Sequence, residues 1–194
     1  MNLTIDEKRK RLKDIIKETG IVIKDVTLSS NRKSRFYYDI KSIVSEPEGA
    51  ALIGELMLAE ILKIEPKTRS VGGLESGAIA IATAIVYSSF QLQPTSSVSG
   101  FFVRKSAKVY GLEKMVEGIV RTPVAVVDDV ITTGKSVMDA VSALRNQGIN
   151  NINIISVIDR EIKENLLEQN NMEFHSLFGH SEFADYIDSK LVQY

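Results

Sequence analysis

The stretch Val124-Ala125-Val126-Val127-Asp128-Asp129-Val130-Ile131-Thr132-Thr133-Gly134-Lys135-Ser136 constrains the fold of this chain more than any other. It opens on an apolar, mostly β-branched run, which fits a strand buried on both faces, the setting of a parallel sheet. Two adjacent carboxylates fall where that strand is expected to end. Small hydroxyl residues and Gly134 follow, then Val137, Val141 and Leu144 at helical spacing, with Gly148 as the stop. Strand, turn and helix in that order leave the N–H groups of residues 132–136 at a helix N-terminus, where partial positive charge favours phosphate. The Thr132, Thr133 and Ser136 hydroxyls add donors. Asp128 and Asp129 are acceptor-only groups suited to sugar hydroxyls or to a hydrated divalent cation. A sugar and its phosphate can be held side by side. The Gly-x-x-x-x-Gly-Lys spacing of nucleotide hydrolases is absent.

A chain of 194 residues can bury one substantial core and leave room for a small appendage. Its net charge of -1 gives no general drive toward nucleic acid or anionic membrane. With no cysteine, it has no disulfide, thiolate metal site or cysteine nucleophile. No signal-peptide pattern opens the chain, and its most apolar stretch, Ala78 to Tyr87, is too short to span a bilayer. A cytoplasmic protein without a membrane partner is expected.

In chain order, Ile5 to Thr19 reads as an amphipathic helix with Leu12, Ile15 and Ile16 inward, stopped by Gly20. Its basic run, Lys8 to Lys13, is expected to be a solvated face and not a nucleic-acid surface. Ile21 to Val26 and Phe36 to Val44 read as β-like runs around a polar turn. Arg32, Lys33 and Arg35 beside Phe36, Tyr37 and Tyr38 suit a planar anionic ligand, or equally an edge strand with charged neighbours. Ser45-Glu46-Pro47-Glu48 reads as a capping box opening a helix to about Ile64. Arg69 to Gly73 is a predicted strand entering a turn at Leu74 to Gly77, a second possible anion cradle. The helix after it, Ala78 to about Phe90, is apolar nearly all round and expected to be buried. After a predicted strand at Ser97 to Val103, residues 104–118 are expected to form a long surface loop. Its Arg104, Lys105 and Lys108 could neutralise a pyrophosphate. Ile152 to Ile158 is a further strand, with Arg160 at its carboxyl end. Ile162 to Glu168 reads as a short helix, Phe174 to Phe178 as the last strand and Glu182 to Leu191 as a closing helix. His175 and His180 lie outside these site segments and are expected to have no chemical role. From Arg69 onward strand and helix alternate, which argues an α/β fold with a parallel sheet covered on both faces.

The central motif resembles the phosphoribosyl-diphosphate motif of type I phosphoribosyltransferases. Four other segments join it: Leu28-Ser29-Ser30-Asn31-Arg32-Lys33-Ser34-Arg35-Phe36-Tyr37-Tyr38-Asp39, Val71-Gly72-Gly73-Leu74-Glu75-Ser76-Gly77, Arg104-Lys105 with Lys108 and Gly111, and Asp159-Arg160. Together, and in family order over nearly the whole chain, they resemble the orotate phosphoribosyltransferase family. The resemblance implies a parallel-sheet type I phosphoribosyltransferase fold with a small N-terminal cap, or hood. Residues 1–194 would form one domain, with 1–44 the N-terminal helix and cap and 45–194 the α/β core.

It also implies transfer of the phosphoribosyl group of 5-phosphoribosyl 1-diphosphate (PRPP) to orotate. The products are orotidine 5′-monophosphate and pyrophosphate, in pyrimidine biosynthesis. By resemblance, Lys105, Lys108, Asp128 and Asp129 are the catalytic candidates. Asp128 and Asp129 would hold the ribose hydroxyls, with Val130 and Ile131 beside them, and Thr132, Thr133, Gly134, Lys135 and Ser136 would hold the 5′-phosphate. Glu75 and Ser76 in their turn, with Arg104, Lys105, Lys108 and Tyr110, would meet the pyrophosphate. Thr132, Arg160, Phe36 and Tyr37 would take orotate, Arg160 matching its carboxylate bidentately. Mg2+ would be held through substrate and water near Asp128 and Asp129, without direct protein ligands. The implied assembly is a homodimer whose 104–118 loop is shared between subunits. A purine phosphoribosyltransferase and a non-catalytic PRPP-binding regulator are the alternatives; Arg160 and the Tyr37-Tyr38 pair favour orotate. Ser29, Asn31 and Tyr110 depart from the lysine, glycine and histidine many members carry. Tyr110 can hydrogen-bond phosphate but cannot be cationic.

Overall fold

The computed structural model describes residues 3–27, 33–106, 114–163 and 165–192. Helix α1 (Ile5–Ile15) is opened by a capping box: the Thr4 hydroxyl accepts from the Glu7 N–H, and the Glu7 carboxylate accepts from the Thr4 N–H. It continues as a π-helical turn, Ile16–Gly20, and Leu12 and Ile16 are fully buried. The basic run on α1 is consumed by ion pairs: Lys8 with Glu55, Arg9 and Lys13 with Glu182, Arg11 with Glu48, and Lys10 with Asp14. Lys8, Arg9, Arg11 and Lys13 thereby tie α1 to other parts of the molecule, while the Lys10 pair lies within the helix.

Strands β1 (Ile21–Thr27) and β2 (Lys33–Tyr38) form a separate antiparallel sheet. The extended run expected to reach Val44 stops at Tyr38, and α2 (Ile40–Ser45) follows. Asp39 explains the change: its carboxylate accepts from the Ser42 N–H at 3.1 Å and from the Ser42 hydroxyl at 2.6 Å. Ile40, Ile43 and Val44 then fall on one buried helical face. The expected capping box at Ser45 does not form. Ser45 ends α2, its hydroxyl donating to the Lys41 carbonyl at 2.8 Å, and α3 (Pro47–Ile64) starts with proline in its first turn and no side-chain cap.

The remaining elements are β3 (Ser70–Leu74), α4 (Gly77–Leu92), β4 (Ser99–Val103), β5 (Val116–Gly118), β6 (Val124–Ile131), α5 (Lys135–Arg145), β7 (Ile152–Asp159), α6 (Leu166–Gln169), β8 (His175–Gly179) and α7 (Ala184–Leu191). The main sheet runs β5-β4-β3-β6-β7-β8 and is parallel except for β5, which pairs antiparallel with β4. The segment expected to be a loop from 104 to 118 therefore ends in a short edge strand, a hairpin base that the absence of periodicity had hidden. Alternation along β6 covers both faces. Ala125 and Val127 join Ile155 and Val157 under α3 and α4, whereas Val124, Val126 and Ile154 pack against Val137, Ala140, Val141 and Leu144 of α5.

Three further expectations change. Helix α4 is buried on one face through Ala78, Ile81, Ala82 and Ile85, but Ile79, Tyr87 and Phe90 are exposed, Tyr87 by 66%. The helix expected over 162–168 is reduced to α6, because the Asn165 side chain accepts from the Leu167 and Glu168 N–H groups and so fixes a later start. A 3-10 turn, His180–Glu182, precedes α7.

Candidate active site

Strand order reverses between β3 and β6, so the chain leaves their carboxyl ends toward opposite faces and opens a crevice, the usual ligand site of an open α/β sheet. A cleft of about 750 Å³ occupies it. One wall is the turn 74–77, and the other is the segment 128–136 with the first turns of α5. Arg104, Lys105 and Met115 stand at the rim, and Lys41 reaches in from α2. The sheet thus brings the turn after β3, the basic hairpin and the central motif into one cavity.

The acids sit within the carboxyl-terminal half of β6 itself, since the strand runs through Asp128 and Asp129 to Ile131. Asp128 Oδ1 accepts the Asp129 N–H at 3.0 Å, and Asp129 Oδ1 accepts the Val130 N–H at 2.9 Å. Protein packed around the Asp128 carboxyl, and then the Asp129 charge beside it, hold its pKa well above the ordinary carboxyl value. Asp129 Oδ2 lies 2.6 Å from Lys41 Nζ. Burial works against the Lys41 ammonium, but the hydrogen bond and charge of Asp129 outweigh it and raise its pKa. Gly77 lets the facing turn come close: a Cβ there would lie 3.1 Å from Asp129 Oδ1.

Past the strand, Gly134 takes φ +76°, a left-handed conformation that bends the chain into α5. The Leu166 N–H bonds to the Thr133 carbonyl at 2.9 Å, and the Arg160 N–H to the Ile131 carbonyl at 2.9 Å, so the turn is braced from β7 and α6. Lys135 pairs with Asp139 one turn along, both at the cleft. On the opposite wall the Glu75–Ser76 peptide is cis, and Glu75 Oε1 accepts the Lys105 N–H at 2.9 Å. Arg104 approaches Glu117 at 4.0 Å, and its buried Nε has no hydrogen-bond acceptor among the described residues. Lys108 and Tyr110 lie outside the described residues, as do Ser29 and Asn31.

Of the residues expected at the base, Thr132 lines the cleft, whereas Arg160, Phe36 and Tyr37 are outside its lining. The Arg160 guanidinium carbon is 4.3 Å from the Phe36 ring centroid and 5.8 Å from that of Tyr38, with Nη2 3.4 Å from the Ser34 hydroxyl. No carboxylate of the described residues forms an ion pair with it, and burial lowers its pKa. Tyr37 lies near Lys41 and adds a little to the raising of its pKa.

Two residues escaped the sequence reading. His180, set aside there, stacks on Phe36 with centroids 5.5 Å apart and planes 8° from parallel, and its Nδ1 is 2.9 Å from the Tyr38 hydroxyl. Phe36 thereby contacts both an imidazole and a guanidinium. Burial, and then the Arg160 charge, lower the His180 pKa. Its position directly after the carboxyl end of β8, on the ligand edge of the sheet, was the available signal. Lys41 had none, because its partner is 88 residues away. His175 lies apart, 3.7 Å from Glu173.

No family model matches the chain. Among curated proteins, orotate phosphoribosyltransferase of Aquifex aeolicus is 38% identical over 181 residues, which cover 90% of this chain and 96% of that protein. Its counterpart from Rhodopseudomonas palustris is 39% identical over 186 residues, covering 91% and 96%. The solved structure of Mycobacterium tuberculosis orotate phosphoribosyltransferase in complex with 5-phospho-alpha-D-ribosyl 1-diphosphate matches with a TM-score of 0.70 at 29% identity, covering 91% of this chain and 99% of that one.

Proposed function

The chain belongs to the orotate phosphoribosyltransferase family, and from that premise we propose how its cleft transfers the phosphoribosyl group of PRPP to orotate, releasing pyrophosphate and forming orotidine 5′-monophosphate for pyrimidine biosynthesis. The 5′-phosphate lies against the N–H groups and hydroxyls of residues 132–136, at the start of α5. Asp128 and Asp129 receive the ribose hydroxyls, and the turn 74–77 with Arg104 and Lys105 receives the pyrophosphate. Lys108 and Tyr110 are assigned to the pyrophosphate by their place in the family motif. Orotate lies between the Thr132 turn and the Arg160–Phe36 pair, near Tyr37. The observation that carries this reading is the meeting of the central motif, the second anion turn and the basic hairpin in one cleft, with Arg160 beside it and free of any carboxylate partner among the described residues.

Breaking the ribose C1–O bond builds positive charge on the sugar ring and negative charge on the departing pyrophosphate. No nucleophilic side chain is needed. The site works by alignment and by fixed charge, cations at the leaving group and carboxylates at the sugar. Orotate bonds to C1 through its ring nitrogen as the C1–O bond breaks, the nitrogen's proton passing to water, and Arg160 fixes its plane through the carboxylate.

Mg2+ fits the donors present. Among the described residues no group of three His, Cys, Asp or Glu converges on a metal position. Magnesium nonetheless needs only one or two carboxylates when substrate oxygens and water supply the rest. Asp128 and Asp129 would serve it, mainly through the sugar hydroxyls and water. When bound, it neutralises the pyrophosphate charge.

We read residues 1–194 as one domain in which 1–44 cap the carboxyl edge of 45–194. A homodimer, with the 104–118 segment serving the neighbouring subunit, is supported by the exposed Ile79, Tyr87 and Phe90 stripe on α4, the helix that starts at the cleft. The test of function is direct. Purified protein with PRPP and Mg2+ should deplete the ultraviolet absorbance of orotate and leave adenine and hypoxanthine unreacted. Turnover of a purine instead would assign the purine reaction, and PRPP binding without turnover of any base would assign the regulator.

A further inference from the structure

Lys41 lies outside every motif that carries the family resemblance, yet its ammonium enters the sugar end of the cleft. It sits in the first turn of α2, directly behind the cap strand β2, and its Nζ lies 2.6 Å from Asp129 Oδ2. The Asp129 side chain is only 13% exposed, so the contact is shielded from solvent on the carboxylate side and is stronger than an open surface pair. Tyr37 of β2, expected with Phe36 to face the base, lies near the same ammonium. One cation therefore joins the cap to the strand that offers the sugar-binding acids.

The count of acceptor sites decides what that cation does. An ionised carboxylate has about four lone-pair sites on its two oxygens. At Asp129, Oδ1 already takes the Val130 N–H and Oδ2 takes Lys41. Each oxygen keeps a further site, enough for two neighbouring hydroxyls. Lys41 can remain in place while sugar binds, so it is a brace and not a plug. Without it, the Asp129 carboxylate would keep the backbone contact from the Val130 N–H at Oδ1 but lose its anchor at Oδ2.

We infer that Lys41 is a positioning residue for PRPP: it fixes the Asp129 carboxylate in the orientation that receives the ribose hydroxyls and ties that orientation to α2, behind the cap strand. The inference rests on the PRPP site described above and concerns a residue that touches no reacting atom. It extends the site from the sheet edge into α2.

The test reads PRPP affinity by calorimetry with Mg2+ present, on the full chain, in Lys41→Met, Lys41→Arg, Asp129→Asn and the double variant Lys41→Met/Asp129→Asn. Removing a charge-assisted brace should weaken PRPP binding about tenfold in Lys41→Met, and the arginine variant, which keeps charge and donor, should recover most of that loss. Because Lys41 acts through Asp129, adding Lys41→Met to Asp129→Asn should cost less than about twofold more, the non-additivity expected of one coupled unit. Unchanged or tighter binding in Lys41→Met overturns the inference, the tighter result marking a plug. So does failure of arginine to rescue, or independent, multiplying losses in the double variant. If the wild-type protein itself binds no PRPP, the site reading fails first, a result distinct from wild-type binding that Lys41→Met leaves unaltered.

Discussion

Replacing Arg160 tests the base site most sharply, because the structure holds this cation half-buried with no carboxylate partner among the described residues. Burial already lowers its pKa, and its contacts are a ring face at 4.3 Å and a hydroxyl at 3.4 Å, neither of which neutralises charge. An anionic, planar ligand supplies what is missing. A hydrogen bond to a charged group contributes about 1.5–3 kcal/mol, and about 1.4 kcal/mol corresponds to a tenfold change in affinity. Arg160→Ala should therefore raise KM for orotate by about 10- to 100-fold. Arg160→Lys keeps the charge but loses the planar fork and the flat contact with Phe36, so it should recover only part of the loss. KM for PRPP should move by less than about threefold, since the proposed site assigns the guanidinium to the base and not to the sugar–phosphate. Thermal stability should change little: removing an unneutralised cation relieves a desolvation cost while the contact with Phe36 is lost. Steady-state rates from orotate absorbance, with each substrate varied in turn, measure both constants. An orotate KM within twofold of wild type, or equal losses for both substrates, would refute the assignment.

Asp128→Asn should abolish PRPP-dependent turnover yet raise the melting temperature of the metal-free protein at neutral pH. The sign follows from its raised pKa: the folded state favours the neutral form, so the charged carboxyl lowers stability as pH rises through the folded pKa, and the advantage of asparagine should vanish near pH 4. His180 has the opposite sense. With its pKa lowered by burial and by Arg160, the folded state resists a proton that the unfolded chain accepts, so stability should fall as pH drops below the ordinary histidine value of about 6.5. His180→Gln should flatten that part of a melting-temperature profile between pH 7 and 5; an unaltered slope would remove His180 from the explanation. Gly134→Ala places a Cβ at φ +76°, 3.0 Å from Leu167 Cγ, and should cost about 1–2 kcal/mol, seen as a fall of about 3–6 °C in melting temperature.

The β6–α5 unit was legible because its separate signals agree. The β-branched run, Gly134 and the Val137–Val141–Leu144 spacing each place the same boundary, and no tertiary contact needs to overrule them. Only the end of the strand shifted, from the two acids on to Ile131, since pairing with β7 carries β6 that far. The α2 segment failed for a local reason. Its aromatic, β-branched approach reads as a strand until Asp39 caps a helix, and Ser45 cannot cap α3 while it closes α2. The exposed stripe of α4 failed because an apolar pattern does not say whether a face meets the core or solvent. What the sequence could not hold were meetings across the chain: Lys41 with Asp129, and Phe36 and Tyr38 with His180, the last 142 residues from Tyr38. Those contacts depend on the cap closing over the carboxyl edge, which no local pattern encodes.

The central claim is that the carboxyl end of β6 grips ribose and phosphate together. Calorimetric titration of PRPP with Mg2+ into the wild-type protein and into Asp128→Asn/Asp129→Asn tests it most directly. The account expects saturable, magnesium-dependent binding to wild type and a loss of at least about 100-fold in the double variant. Equal affinity for the two proteins, or wild-type binding indifferent to magnesium, would contradict it.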